Sequence, residues 1–308
     1  MNIERLRSQL LGIWYLALLG LLRCAPVRLA SATGGLLVRM NVRSNRPEVI
    51  AGARKNLAAH RPRDAMADRE ASINRFIENV GRVMAEFAVL ARISDEGRIK
   101  LIGNQEVFGL AGREPIIGIL LHTGNWELFG PVLRRAGIHA ATFYEPPSNR
   151  VARKIAEYTR RASGLELLTP NPRGFRNALA QLQARRIVAI FGDEVRAGTL
   201  AAPLFGRPPH SRCNLALAAK LARRTAARIV IAYSKRTGPC HFEMHFSAPF
   251  KLSDANQTVL ADVADLNEKI EPIILSLLDQ WYYLNDTLGD VAQHEGQAGG
   301  AVHAWSSP

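Results

Sequence analysis

Three short apolar runs constrain the fold more than any other feature of the chain: Ile116–Leu121 (IIGILL), Ile187–Phe191 (IVAIF) and Ile229–Tyr233 (IVIAY). Each reads as a strand buried on both faces. Between them lie helical stretches at Trp126–Ala136, Val151–Ala162, Phe175–Ala184 and Leu215–Arg224, and two shorter strands at Ala140–Phe143 and Leu165–Leu168. Strands alternating with helices of that length predict an α/β fold, a mostly parallel central sheet flanked by helices on both faces. Cys240–Phe246 alternates polar and apolar residues and reads as an edge strand. Upstream, Arg75–Arg92 carries apolar residues at a helical period, and residues 43–70 read as a connection with a short amphipathic helix. Downstream, Asp262–Leu284 reads as a long closing helix that Pro272 kinks or restarts.

The N-terminus adds a separate element. Leu10–Leu22 reads LLGIWYLALLGLL, thirteen residues without a charge, preceded by Arg5 and Arg7 and followed by Arg23. A straight spanning helix needs ~20 apolar residues, so this run is short for a crossing. Trp14 and Tyr15 are of the kind that sit at a membrane interface. The segment reads as an N-terminal membrane-anchor helix. A buried core helix and a signal peptide are the alternatives; Ala30-Ser31-Ala32 offers a small-x-small site, and Arg23 and Arg28 count against cleavage. The chain therefore divides into an anchor segment (1–40), an α/β domain (41–288) and a polar, glycine-containing tail (289–308) expected to be disordered.

Charge narrows the partners. Lys and Arg number 40 against 27 Asp and Glu, a formal charge of +13, and 33 of the 40 are arginine. Such a surface attracts polyanions: anionic lipid, phosphorylated glycolipid, an acidic carrier protein or nucleic acid. An aromatic content of 7% and the absence of a nucleic-acid motif argue against the last. Cys24, Cys213 and Cys240 show no Cys-x-x-Cys spacing, which suits a reducing compartment and gives no zinc signature. His241, Glu243 and His245 share one face of a strand and read as its half-solvated side rather than a metal site. No metal or cofactor is expected.

The chemistry is expected where open α/β sheets bind ligands, at the carboxyl ends of the strands. The first buried run ends at Leu121 and continues His122-Thr123-Gly124-Asn125-Trp126-Glu127. Gly124 permits a tight turn, which can bring the Glu127 carboxylate beside the His122 imidazole. A carboxylate on one ring nitrogen fixes the tautomer and leaves the other nitrogen free as a general base. Neither a serine nor a cysteine is placed here as a nucleophile, so direct deprotonation of a substrate hydroxyl is the natural chemistry. On spacing alone, a histidine merely hydrogen-bonded at a strand end is the competing reading.

The block HTGNWELFG after a buried strand resembles the first signature of the lipid A biosynthesis branch of the lysophospholipid acyltransferase superfamily. Arg160-Arg161-Ala162-Ser163-Gly164, the strand ending IVAIFGDE, and Pro203-Leu204-Phe205-Gly206-Arg207-Pro208-Pro209 resemble later blocks of the same family, in order. The resemblance covers about residues 5–284. It implies His122 as the base, Glu127 as its orienting acid, and Arg161, or alternatively Arg160, and Asp193 as functional residues. Asn125, Arg160, Glu194 and Arg207 are the candidates for substrate binding. The chain departs from the family pattern at Glu194, where Gln or another polar residue is usual, at Leu204, and at Trp281–Asp286, where a basic segment often follows a Trp.

The resemblance implies an acyltransferase on the cytoplasmic face of the inner membrane. It would move a fatty acyl chain from acyl carrier protein to a hydroxyl of a lipid A precursor. Two alternatives remain. One is the same chemistry on a phosphatidylinositol mannoside, ornithine lipid or lysophospholipid with acyl-CoA. The other is a non-catalytic basic protein that binds membrane or nucleic acid.

Overall fold

The computed structural model describes residues 17–146, 150–196, 199–255 and 258–286. The first part of the apolar N-terminal run, with Trp14 and Tyr15, and the tail from residue 289 lie outside the described residues. The strands are β1 (Ile99–Ile102), β2 (Ile116–Leu120), β3 (Ala140–Phe143), β4 (Leu165–Leu168), β5 (Ile187–Phe191), β6 (Val195–Arg196), β7 (Thr199–Leu200), β8 (Arg228–Gly238) and β9 (His241–Phe246). Seven of them form one sheet in the order β1-β9-β8-β2-β5-β3-β4, while β6 and β7 pair in a small ribbon. The three apolar runs occupy its centre as β2, β5 and β8, all parallel to one another, with Gly118 opposite Ala189 on one side and Val230 on the other.

Side chains alternate across β2, and the sheet separates two cores. Ile117, Ile119 and Leu121 join one core with Phe76, Leu215 and Ile270; Ile116 and Leu120 join the other with Phe129, Leu133 and Val230. Fully burying one such aliphatic side chain stabilises by ~1.5–3 kcal/mol, which is why these runs are apolar on both faces.

Several boundaries differ from the sequence expectation. The strand His241–Phe246 is not at the edge: β1 pairs with it in parallel and takes the edge position. With only four residues, one of them Lys100, β1 has too little apolar pattern to read. The alternation within β9 holds, with Phe242, Met244 and Phe246 buried and His241 exposed. The closing helix ends at Ser276, and Pro272 lies inside it. Beyond it, a short 3-10 turn, Leu278–Gln280, leads into an irregular segment that returns to the strand tips. Upstream, one helix spans Met66–Glu86 and a second, short one spans Leu90–Asp95.

Residues 17–24 are helical, and the next helix, Val27–Asn45, runs through the expected boundary at residue 40. It lies against Met66–Glu86: the oxygens of Gly81 and Gly34 come so close that a Cβ on the opposing glycine would sit 2.3 and 2.4 Å from them. Its opposite side presents Leu29, Leu36, Leu37 and Met40 to solvent. Among the described residues no helix is long and apolar enough to cross a membrane.

Candidate active site

The turn after β2 is built by its small residues. Gly124 has φ +58°, and a Cβ there would sit 2.5 Å from the Ser234 carbonyl oxygen, so a larger residue would have to push β8 away. Thr123 Oγ1 donates to that same carbonyl at 2.8 Å. The Asn125 side chain accepts from Glu127 N at 3.1 Å and caps the 3-10 turn Trp126–Leu128. The C-terminal segment closes the turn from below: Gly124 N donates to Gln280 O and Tyr282 N to His122 O.

His122 is held by Asp193. Its Nδ1 lies 2.8 Å from Asp193 Oδ1, and its backbone N–H donates to Oδ2, also at 2.8 Å. Trp281 Nε1 donates to Oδ2 at 2.9 Å, and Asp193 is fully buried. The imidazole stacks on Phe191 at 4.0 Å and meets the edge of Tyr283 at 4.9 Å. This arrangement locks the ring and leaves Nε2 to face a substrate.

Glu127, the acid that the spacing pairs with His122, is engaged elsewhere. Arg160 Nε and Nη2 donate to its two oxygens at 3.1 and 2.5 Å, and Trp126 Nε1 donates at 3.1 Å. The reason lies in the register. Leu120 stands opposite Phe191, so two residues beyond each strand end His122 meets Asp193. A pairing across 71 residues is set by the parallel sheet and cannot be read from a local spacing. Burial opposes the Arg160 charge, but Glu127 outweighs it and holds the guanidinium pKa above its ordinary value.

The other candidates separate into those at the site and those behind it. Arg160 lies at the site with its guanidinium 4.9 Å over the Tyr144 ring, whereas Arg161 is exposed one position further round the helix. Glu194 follows Asp193 into the site: its Oε1 accepts from Asn214 N at 2.6 Å, and burial pushes its carboxyl up to about 8. Asn125 is buried behind the turn, where its Nδ2 donates to Glu86 Oε2 at 2.7 Å. Arg207 donates to the carbonyls of Leu204, Leu200 and Ala202, so its guanidinium braces its own loop. Sequence reasoning missed Trp281, Tyr144 and Tyr283. Trp281 and Tyr283 stand out only as a departure from the family pattern, and Tyr144 follows a strand without a motif to mark it.

These groups head a cavity of about 260 Å³. His122, Glu127, Tyr144, Arg160, Glu194 and Tyr283 line its polar end. Its far wall is apolar, formed by Ile116, Gly118, Ala189 and Val230 of the sheet and by Phe129 and Leu133 of the helix Phe129–Arg135. From His122 back to Ile116 is six residues of strand, ~20 Å at 3.3 Å per residue. Such a shape takes a long apolar chain with its reactive end beside the imidazole. Among the described residues no cluster of His, Cys, Asp and Glu could hold a metal.

A family model described as bacterial lipid A biosynthesis acyltransferase matches residues 2–288. No curated protein sequence matches significantly. Among solved structures, the crystal structure of the 1-acyl-sn-glycerophosphate (LPA) acyltransferase PlsC from Thermotoga maritima is similar. It aligns with a TM-score of 0.38 and 12% identity, covering 82% of this chain and 95% of that chain.

Proposed function

The chain belongs to the bacterial lipid A biosynthesis acyltransferase family and is an O-acyltransferase with a lipid acceptor, and from that premise we propose that it moves a fatty acyl chain from an acyl carrier protein thioester to a hydroxyl of a lipid A precursor. His122 Nε2 takes the proton as the hydroxyl oxygen attacks the thioester carbonyl. Asp193, in place of Glu127, orients the ring and stabilises the imidazolium that forms. The observation that carries this reading is the His122–Asp193 pair at 2.8 Å at the head of a chain-shaped apolar cavity. Glu127 and Arg160 then form a charged wall at the mouth, beside Met84, Phe87 and Ile155, where the head group of the acceptor would lie.

The protein works on the cytoplasmic face of the inner membrane in this proposal. What supports the location is the exposed stripe Leu29, Leu36, Leu37 and Met40, with Arg28 and Arg43 exposed on the same helix. Apolar residues enter the interface while basic side chains attract anionic head groups.

The test is acyl transfer by detergent-purified protein from a panel of acyl carrier protein thioesters to a radiolabelled, tetra-acylated, Kdo-modified lipid A precursor. Labelled product that is lost in both His122→Ala and Asp193→Asn, with folding retained, supports the reading. Product only with a phospholipid or mannolipid acceptor moves the same chemistry to that acceptor, and no transfer to any acceptor removes it.

A further inference from the structure

Two buried polar atoms on side chains that line the cavity have no hydrogen-bond partner among the described residues: Tyr144 Oη and Glu194 Oε2. Both residues are more than nine-tenths buried, at 8% and 7% exposed, and both line the cavity that holds His122. A buried polar atom left unmatched costs ~1–3 kcal/mol, so two of them on side chains that line one cavity call for an occupant that matches both. The sheet order places the two residues just beyond the tips of neighbouring strands. Tyr144 follows the tip of β3 and Glu194 follows the tip of β5, which lies between β3 and β2 with its His122.

Resting on the acyl-transfer reading, we propose that Tyr144 Oη and Glu194 Oε2 are the two donors that hold the carbonyl oxygen of the acyl thioester as it becomes an oxyanion. In this proposal both act as neutral donors. Burial keeps the Tyr144 phenol above its ordinary pKa. Burial likewise pushes the Glu194 carboxyl up to about 8, against the pull of Arg196 and the Asn214 amide. Glu194 Oε1 accepts from Asn214 N, which leaves the proton to Oε2. Neutral donors in a dry site suit a charge that appears only in the transition state, because they carry no counter-charge to desolvate beforehand.

In the transfer step, the acceptor hydroxyl oxygen forms a bond to the thioester carbonyl carbon, and its proton passes to His122 Nε2. The carbonyl π pair moves onto oxygen, where the Tyr144 and Glu194 protons hydrogen-bond it. Collapse re-forms the carbonyl and breaks the C–S bond, and the departing thiolate takes the proton back from His122. The new ester and the free thiol leave.

The experiment measures kcat and KM with lauroyl thioesters of acyl carrier protein and of coenzyme A on Tyr144→Phe, Glu194→Leu and Glu194→Gln, beside thermal melting of each. Tyr144→Phe and Glu194→Leu should each lower kcat by ~10²-fold with KM within about threefold. Glu194→Gln keeps an N–H donor and should stay within about tenfold of wild type. Tyr144→Phe removes an unmatched hydroxyl, so its melting temperature should equal or exceed that of wild type, which a structural role for the hydroxyl would not produce. Wild-type turnover with Tyr144→Phe unchanged in kcat overturns the proposal and leaves the acyltransferase reading standing. So does a loss confined to KM, or to hydroxylated donors or acceptors, which would make the pair a binding site for a substrate hydroxyl. No transfer by the wild type from either thioester overturns both.

Discussion

Two buried carboxylates, Glu86 behind the Gly124 turn and Glu194 next to Asp193, differ in how completely their oxygens are matched. Glu86 receives four donors: Ser31 at 2.6 Å, Asn125 at 2.7 Å, and both terminal nitrogens of Arg236 at 2.7 and 2.8 Å. Arg236 in turn donates to Asn79, which holds the Gly124 carbonyl. Burial pushes the Glu86 carboxyl up, but Arg236, Ser31 and Asn125 outweigh it and hold it below the usual carboxylate range. Glu194 is nearly as buried, with one short hydrogen bond from Asn214, Arg196 3.6 Å from the same oxygen and its other oxygen unmatched, and it shifts the other way. Similar burial with opposite matching separates a carboxylate that fixes the turn from one that the proposal assigns to the substrate.

The largest effect that could break this contrast is catalytic. His122→Ala should lower kcat by ~10²–10⁴-fold, the range of a lost general base, while circular dichroism and the melting temperature stay near wild type. Next comes Glu86→Ala. It leaves Arg236 buried without its counter-charge and should cost ~3–5 kcal/mol in denaturant unfolding, with activity per folded molecule far less affected than in His122→Ala. Equal loss of activity and stability in both variants would erase the distinction between the two regions.

Legibility in the sequence depends on the range of the interactions. The central strands were readable because IIGILL, IVAIF and IVIAY are local and uniformly apolar. His122 was readable because it ends one of them. Its partner was not: Asp193 reaches it through a parallel register, and the nearer Glu127 is diverted to Arg160 by the helix Arg150–Ala162. The resemblance ranks Arg160 behind Arg161 as the functional arginine. Only the docking of that helix turns the first inward and leaves the second exposed. The Glu86–Arg236 pair spans 150 residues between a helix and a strand, neither of which carries a motif.

The opposite shifts also predict opposite pH responses. Glu194 titrates near 8 folded and near 4.5 unfolded, so between those values the folded state holds a proton that the unfolded state releases. Stability from this group is complete below pH 4.5 and falls as pH rises toward 8, by at most about 1.4 kcal/mol per pH unit. Burial likewise pushes the Asp286 carboxyl up to about 7, which adds a loss of the same sign at lower pH. Glu86, held low, contributes stability above its ordinary value and loses it as pH falls. Chemical denaturation from pH 4 to 9 should therefore show a maximum on the acid side. Glu194→Gln should flatten the decline above pH 7, and an unchanged slope would place the Glu194 titration elsewhere.

The smallest effect tests the apolar end of the cavity. A Cβ built on Gly118 meets nothing nearer than Leu120 Cδ2 at 3.8 Å and Ala189 Cα at 4.0 Å, so a larger side chain there grows into open space without straining the fold. Gly118 lies four residues before His122, ~13 Å along the strand. Gly118→Val should disfavour the longest acyl donors, each excluded methylene being worth ~0.8 kcal/mol or about a fourfold change in relative rate, while the shortest donors keep their kcat. Ile117, on the other face of the same strand, lies in the core shared with Phe76 and Ile270. Ile117→Val should cost ~0.5–1.5 kcal/mol of stability and leave the chain-length profile where it was. One strand thus supplies both experiments. If the two substitutions exchange their effects, the cavity face and the core face have been assigned the wrong way round.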